Sequence, residues 1–201
     1  MERIPYRATE AAASYSGLRL PVSILLHDVR SMYNVGVFFR AADGAGIERL
    51  LLSGITARPP QSAISKTALG AEAQVKWDPV ENVAASARAL RLEGYELAAI
   101  ETTLNAVDIF DWQPRFPVCV LFGHEVDGLG ADLLAACDTH VRIPMLGLKH
   151  SLNVASAGAI VMYELLRKYR ALHVVSRSAI SANIRRTPRF RGGATHNERS
   201  G

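Results

Sequence analysis

The sequence predicts an α/β protein, a mostly parallel sheet with helices on both faces, and two observations carry that prediction. Short apolar runs of strand length alternate along the chain with segments of helical periodicity, the pattern that parallel pairing through crossover helices requires. The apolar runs are also nearly continuous, as in Val118–Phe122, which is how strands covered on both faces read. At 201 residues the chain has the size of one domain with short tails, enough to hide about 70% of its unfolded surface.

The elements follow in order. Residues 1–20 are read as an N-terminal extension with a short helix over Arg7–Tyr15. Val22–His27 is a strand and Asn34–Ala45 a helix; Arg49–Ser53 and Val75–Trp77 are strands. Pro79 is read as opening the next helix, where its missing N–H costs nothing. Val83, Ala87 and Leu90 then recur at helical spacing, and Gly94 ends the helix. Glu96–Glu101 and Val118–Phe122 are strands, Leu129–Cys137 a helix, His140–Ile143 a strand and Leu152–Tyr169 the last helix. Thr103–Pro117, polar and proline-containing, connects two halves of one domain. The domain is thus placed at 21–175, followed by a tail at 176–201 whose apolar pattern fades and whose last part, from Arg185, is expected to be mobile.

Composition narrows the function classes. Apolar residues are 49% and charged residues 21% of the chain, ordinary for a soluble globular protein. The longest apolar runs are strand-sized, well short of the roughly 18 residues of a membrane helix. The start, Met1-Glu2-Arg3-Ile4-Pro5, lacks the apolar centre of a secretory signal. The two cysteines, Cys119 and Cys137, form no C-x-x-C and are expected as buried free thiols of a cytoplasmic protein. The net charge of +4 is unevenly placed. From Ser176 onward lie Arg177, Arg185, Arg186, Arg189, Arg191 and Arg199 against the single acid Glu198, so that stretch is +5 and the rest of the chain −1. A basic tail on a nearly neutral body is an electrostatic footprint for a polyanion, or simply a solvated terminus.

Ligands of open α/β sheets bind beyond the carboxyl ends of the strands, so the segments after each strand decide the chemistry. No G-x-G-x-x-G, no G-x-x-x-x-G-K-[ST] and no G-x-S-x-G is present, and no His/Cys cluster has zinc-ligand spacing; a dinucleotide-dependent oxidoreductase therefore lacks its fingerprint, and no metal site is expected. Three other segments stand out. Asn34-x-Gly36-x-x-x-Arg40 follows the first strand, and Gly123-His124-Glu125-Val126-Asp127-Gly128-Leu129 follows Val118–Phe122. Ile143-Pro144-Met145-Leu146-Gly147, then Ser151-Leu152-Asn153-Val154, follows the strand at 140–143. Singly, each has a plain structural explanation: an N-cap, a surface arginine, a glycine turn. Their order and spacing together carry more.

That combination resembles the three signature motifs of the SpoU (TrmH-like) RNA methyltransferases, the ribose-methylating branch of the SPOUT superfamily. A weaker match lies at Lys66-Thr67-Ala68-Leu69-Gly70-Ala71, and the resemblance spans about Leu25–Leu165. It implies a C-terminal trefoil knot over about Val118–Glu164, a homodimer with the active site at the subunit interface, S-adenosyl-L-methionine as cofactor, and the ribose 2′-hydroxyl of a tRNA or rRNA as acceptor. It places Gly123, Ile143, Met145, Gly147 and Leu152 at the methyl donor, with Thr102 or Thr103 at its ribose. Arg40, Asn34, Glu125, Ser151 and Asn153 match the catalytic positions. Because a guanidinium does not readily deprotonate, Arg40 is read as stabilising the developing alkoxide, with Glu125 orienting it through a charge-assisted pair. Asn34 and Asn153 are read as holding ribose or phosphate oxygens, and Ser151 as aiding the oxyanion or capping its helix. The motifs depart from the family at Ser31-Met32-Tyr33, at His124 and Val126, and at Lys149-His150, without loss of a central position. A catalytically silent RNA-binding relative is the alternative, and the intact set argues against it; the Asn34/Arg40 pair favours ribose over base methylation. RNA recognition is expected to fall to the catalytic domain, residues 1–20 and the basic tail.

Overall fold

The computed structural model describes residues 19–184, with side chains through 172, so the expected helix at Arg7–Tyr15 and the arginines from Arg185 onward lie outside the described residues. Seven strands form one sheet in the order β3-β2-β1-β6-β4-β7-β5, and all six pairings are parallel. The strands are β1 (Leu20–His27), β2 (Ile47–Ser53), β3 (Lys76–Val80), β4 (Glu96–Ile100), β5 (Val107–Asp108), β6 (Val118–Phe122) and β7 (Thr139–Arg142). The helices are α1 (Met32–Ala45), α2 (Ser62–Ala68), α3 (Val83–Leu92), α4 (Ala131–Ala136) and α5 (Val154–Ile184), with a 3₁₀ turn at Ala71–Ala73.

The register explains the continuous apolar strands. Leu51, Leu25, Leu121 and Ala99 lie side by side across β2, β1, β6 and β4, and all belong to a core that Ala87 and Leu90 of α3 and Leu133 of α4 complete. One residue along, Leu52, Leu26 and Phe122 form the adjacent row, which points to the opposite face because strand side chains alternate. There Phe122 meets Phe38 of α1 edge to face, with centroids 5.1 Å apart. Each such fully buried Leu or Phe side chain contributes roughly 1.5–3 kcal/mol.

Local chemistry sets the helix ends that frame the site. Ser31 caps α1 by accepting from Asn34 N–H, and Gly46 ends it in the left-handed conformation at φ 69°. Asp28, at φ 60°, turns the chain from β1 toward α1; its carboxylate accepts from Ile55 N–H (2.9 Å) and ties the ends of β1 and β2 together. Asn153 caps α5 through Ala155 N–H (2.9 Å) and Ser156 N–H (3.2 Å).

Several expectations are corrected. Pro79 lies in β3 rather than opening a helix; β3 is an edge strand, where one side of the backbone needs no ladder partner. Helix α3 starts after Asn82, whose Oδ1 accepts from Ala85 N–H. The last helix does not stop at Tyr169 but runs to Ile184, consistent with the absence of Gly and Pro between residues 159 and 187. The connection at 103–117 holds the short strand β5, and α2, too short for its periodicity to show, lies between β2 and β3. The connection is held down by buried Glu96, which accepts from Trp112 Nε1 (3.1 Å) and Thr139 Oγ1 (2.9 Å), and by Lys168, which donates to the Phe110 carbonyl (3.1 Å). The chain divides into two compact units, Met1–Lys168, which holds the sheet, and Tyr169–Gly201. Among the described residues no helix is long and apolar enough to cross a membrane, and no His, Cys, Asp or Glu cluster is placed to hold a metal ion.

Candidate active site

The carboxyl ends of β4, β6 and β7 open into a cavity of about 510 Å³. That lies within the roughly 300–1,000 Å³ of small-molecule and cofactor sites. Its walls are the loop after β6, the loop after β7 and the start of α5. Gly123, Glu125, Ile143, Met145, Ser151, Leu152 and Asn153 all line it. Two of the expected donor positions do not, and neither do Asn34 and Arg40. Gly147 is outside the lining, in a loop where a Cβ would meet nothing within 4 Å. Thr103 is outside as well. Its hydroxyl lies 2.9 Å from His140 Nδ1, while His140 Nε2 lies 3.0 Å from the Leu134 carbonyl. Since Nε2 must donate to that carbonyl, Nδ1 of the neutral ring accepts and the Thr103 hydroxyl is the donor. Its neighbour Thr102 lines the cavity instead.

Glycine works differently here from the sequence reading. A Cβ on Gly123 would lie 2.4 Å from the Gly128 carbonyl carbon and oxygen. The loop Gly123–Leu129 folds back on itself, His124 and Gly128 exchanging backbone hydrogen bonds of 3.1 and 2.9 Å. So Gly123 is required by its own loop, not only by an approaching ligand. His124, the departure from the usual small residue, helps close that loop, its Nδ1 accepting from Asp127 N–H (3.1 Å). Gly36 is likewise a packing glycine: a Cβ there would lie 2.1 Å from Thr67 Oγ1 and 2.3 Å from the Ile64 carbonyl oxygen of α2. Thr67, in the weaker match, donates to the Tyr33 carbonyl (2.9 Å) and latches α2 to α1.

Asn34, Glu125 and Asn153, from three separate motifs, form one network. Asn34 Nδ2 donates to Glu125 Oε1 (3.1 Å), and Asn153 Nδ2 donates to Asn34 Oδ1 (3.2 Å). Glu125 also accepts from Arg30 N–H (3.0 Å) and Ser31 N–H (3.2 Å) at the start of α1. Desolvation pushes the Glu125 carboxyl up, but these donors outweigh it and hold it below the usual carboxylate range. The network ties the starts of α1 and α5 to the loop after β6, so the two asparagines spend much of their hydrogen-bonding capacity on the protein itself.

The expected Glu125–Arg40 pair is not formed within the chain, because Glu125 faces the start of α1 whereas Arg40 lies farther along that helix. Arg40 is exposed and outside the cavity lining. At six positions from Asn34 it projects from a different side of the helix, the side of Gly36 and Gly44. Ser151 lines the cavity without capping α5, a role Asn153 takes. The sequence reading missed Glu101, which lines the cavity at the end of β4; an acidic residue just past an apolar strand was the available signal.

Comparison with known proteins is consistent with this geometry. A model of the SpoU rRNA Methylase family matches residues 21–163. The 23S rRNA (guanosine-2′-O-)-methyltransferase RlmB of Vibrio parahaemolyticus is 31% identical over 149 residues, covering 74% of this chain and 60% of that protein. The tRNA (guanosine(18)-2′-O)-methyltransferase of Escherichia coli is 29% identical over 150 residues, covering 73% and 63%. Among solved structures, the AdoMet-bound rRNA methyltransferase of Sinorhizobium meliloti superposes with a TM-score of 0.69 at 28% identity, covering 73% of this chain and 56% of that one. The chain spans about three fifths of the length of the curated relatives it matches.

Proposed function

Because the chain belongs to the SpoU rRNA methylase family, we propose that it is an S-adenosyl-L-methionine-dependent methyltransferase acting on a ribose 2′-hydroxyl of tRNA or rRNA. The observation that carries the reading is the convergence of the second and third motifs on one cavity, with the first tied to its edge through Asn34. The donor-site residues Gly123, Ile143, Met145 and Leu152 line it, and the Asn34–Glu125–Asn153 network borders it.

The donor site fits its ligand in kind. Ile143, Met145 and Leu152 offer apolar surface for an adenine ring, and backbone groups of the loops after β6 and β7 offer polar contacts. When bound, S-adenosyl-L-methionine supplies an electrophilic methyl group on a sulfonium. The chain's own residues hold the acceptor in line and meet the charge that develops on its oxygen, and positioning of this kind lowers a barrier by several kcal/mol. Arg40 stabilises the developing alkoxide and the adjoining phosphate. In this reading the protein is a homodimer, and its symmetry brings Arg40 of one protomer to the cavity of its partner, which accounts for an exposed Arg40 far along α1. Asn34, Glu125 and Asn153 act by holding the walls in register, and Ser151 borders the oxyanion. The segment from Val118 to Glu164 carries the family's trefoil knot. The arginines from Arg177 onward meet RNA phosphates, and the protein works in the cytoplasm.

Thermal shift against two ligands tests the proposal. S-adenosylhomocysteine is expected to raise the melting temperature and NAD to leave it unchanged; stabilisation by NAD alone would overturn the reading.

A further inference from the structure

Glu101 is an acid in the cavity lining that the motifs do not absorb. It follows β4, whose neighbour in the sheet is β6, so it stands beside the loop that begins at Gly123. Its Oε1 accepts from Thr102 N–H (3.1 Å), and its Oε2 accepts a long bond from Leu129 N–H (3.4 Å). The carboxylate packs so tightly under the loop that a Cβ on Gly128, itself at φ 67°, would lie 2.3 Å from Oε2. The position of this acid is therefore fixed by backbone on two sides.

Its hydrogen-bonding capacity is not filled. A carboxylate has about four lone-pair sites, and the two amides use two of them. No Lys, Arg or His pairs with Glu101 among the described residues. Of its neighbours, Glu125 is committed to three donors at the start of α1 and the Thr103 hydroxyl to His140. A half-buried acceptor with open lone pairs in a ligand cavity calls for O–H or N–H donors from the ligand. A sulfonium has none, and the adenine amine and the α-ammonium each present theirs on a single nitrogen, whereas the vicinal hydroxyls of a ribose present two on adjacent oxygens, one for each carboxylate oxygen. An acidic side chain near a strand end takes a ribose hydroxyl in the dinucleotide sites of other α/β sheets by the same chemistry.

We propose that Glu101 is the ribose-binding residue of the donor site, accepting hydrogen bonds from the vicinal hydroxyls of the donor nucleoside. This rests on reading the cavity as the seat of S-adenosyl-L-methionine. Titration calorimetry on the full chain, with S-adenosylhomocysteine, its 3′-deoxyribose analogue and S-adenosyl-L-methionine, tests it. Wild type is expected to bind the parent about ten-fold more tightly than the analogue, the size of a hydrogen bond to a charged group. Glu101→Gln is expected to bind the two nearly alike; if that variant does not fold, Glu101→Asp, which draws the carboxylate back by one methylene, takes its place with the same expectation. Equal weakening of both ligands by the substitution would overturn the proposal. So would weakening confined to the charged methyl donor, which would place the carboxylate at the sulfonium. Failure of the wild type to bind S-adenosylhomocysteine at all would instead remove the donor reading on which the proposal stands.

Discussion

Arg40 and Glu125 carry opposite lessons about single residues. Both were legible as motif positions, but their geometry was not, because a motif gives spacing along the chain and not which side of α1 a residue faces. Glu125 turned out to hold the start of α1 rather than Arg40. Arg40→Ala is predicted to lower methyl transfer by about 100- to 1,000-fold, the size of losing one charge-stabilising group, with affinity for S-adenosylhomocysteine unchanged. Retained turnover would remove Arg40 from the chemistry. For Glu125 the prediction concerns pH. Its carboxyl is held low in the folded state, so its stabilisation is full above the ordinary carboxyl value of about 4.3 and is lost as pH falls through the folded value. The stability gap between wild type and Glu125→Gln in urea should therefore be present at neutral pH and close in acid. It should also be small, since the group is solvent-accessible. A gap of the same size across that range would contradict the assignment. The thiols make a second residue-scale contrast: burial pushes Cys119 up to about 12 and Cys137 up to about 11, so neither should react readily with a thiol reagent at neutral pH while the protein is folded, and fast labelling would contradict that.

At the scale of elements, the parallel sheet was readable because four strands, β1, β2, β4 and β6, are largely apolar and buried and appear in the sequence as apolar runs, while β3 and β7 mix polar with apolar residues. β5 was not, being two residues long and without a periodicity to detect. Helix α2 was missed for a related reason: its seven residues are held by Thr67 and by the close approach of Gly36 rather than by an amphipathic stripe. The β3 proline misled because helix starts and edge strands both tolerate a missing N–H. The α1–α2 contact yields a prediction of its own. Gly36→Ala places a methyl against the Ile64 carbonyl and Thr67 hydroxyl, and overpacking of this kind costs about 1–3 kcal/mol. The denaturation midpoint should fall accordingly. An unchanged midpoint would mean that α2 is free to move away, and that Gly36 belongs to the motif for another reason.

For the whole molecule the question is whether one chain builds a complete site. The cavity is lined by Gly123, Ile143, Met145 and Leu152 and by Glu125 and Asn153 of the network, which Asn34 joins from outside, but not by Arg40. Mixing Arg40→Ala with Leu152→Arg, which fills the cavity, tests the proposed dimer. In a random mixture half of the dimers are mixed and each holds one intact site of two, so activity should return to about a quarter of wild type. No recovery would place Arg40 and the cavity in the same subunit. The central claim is the transfer itself, and nucleoside mass spectrometry on RNA incubated with the protein and S-adenosyl-L-methionine tests it most directly. A 2′-O-methylated nucleoside that appears only with the active protein is the predicted result; a methyl group on a base, or no methylated nucleoside from RNAs that the protein binds, would contradict it.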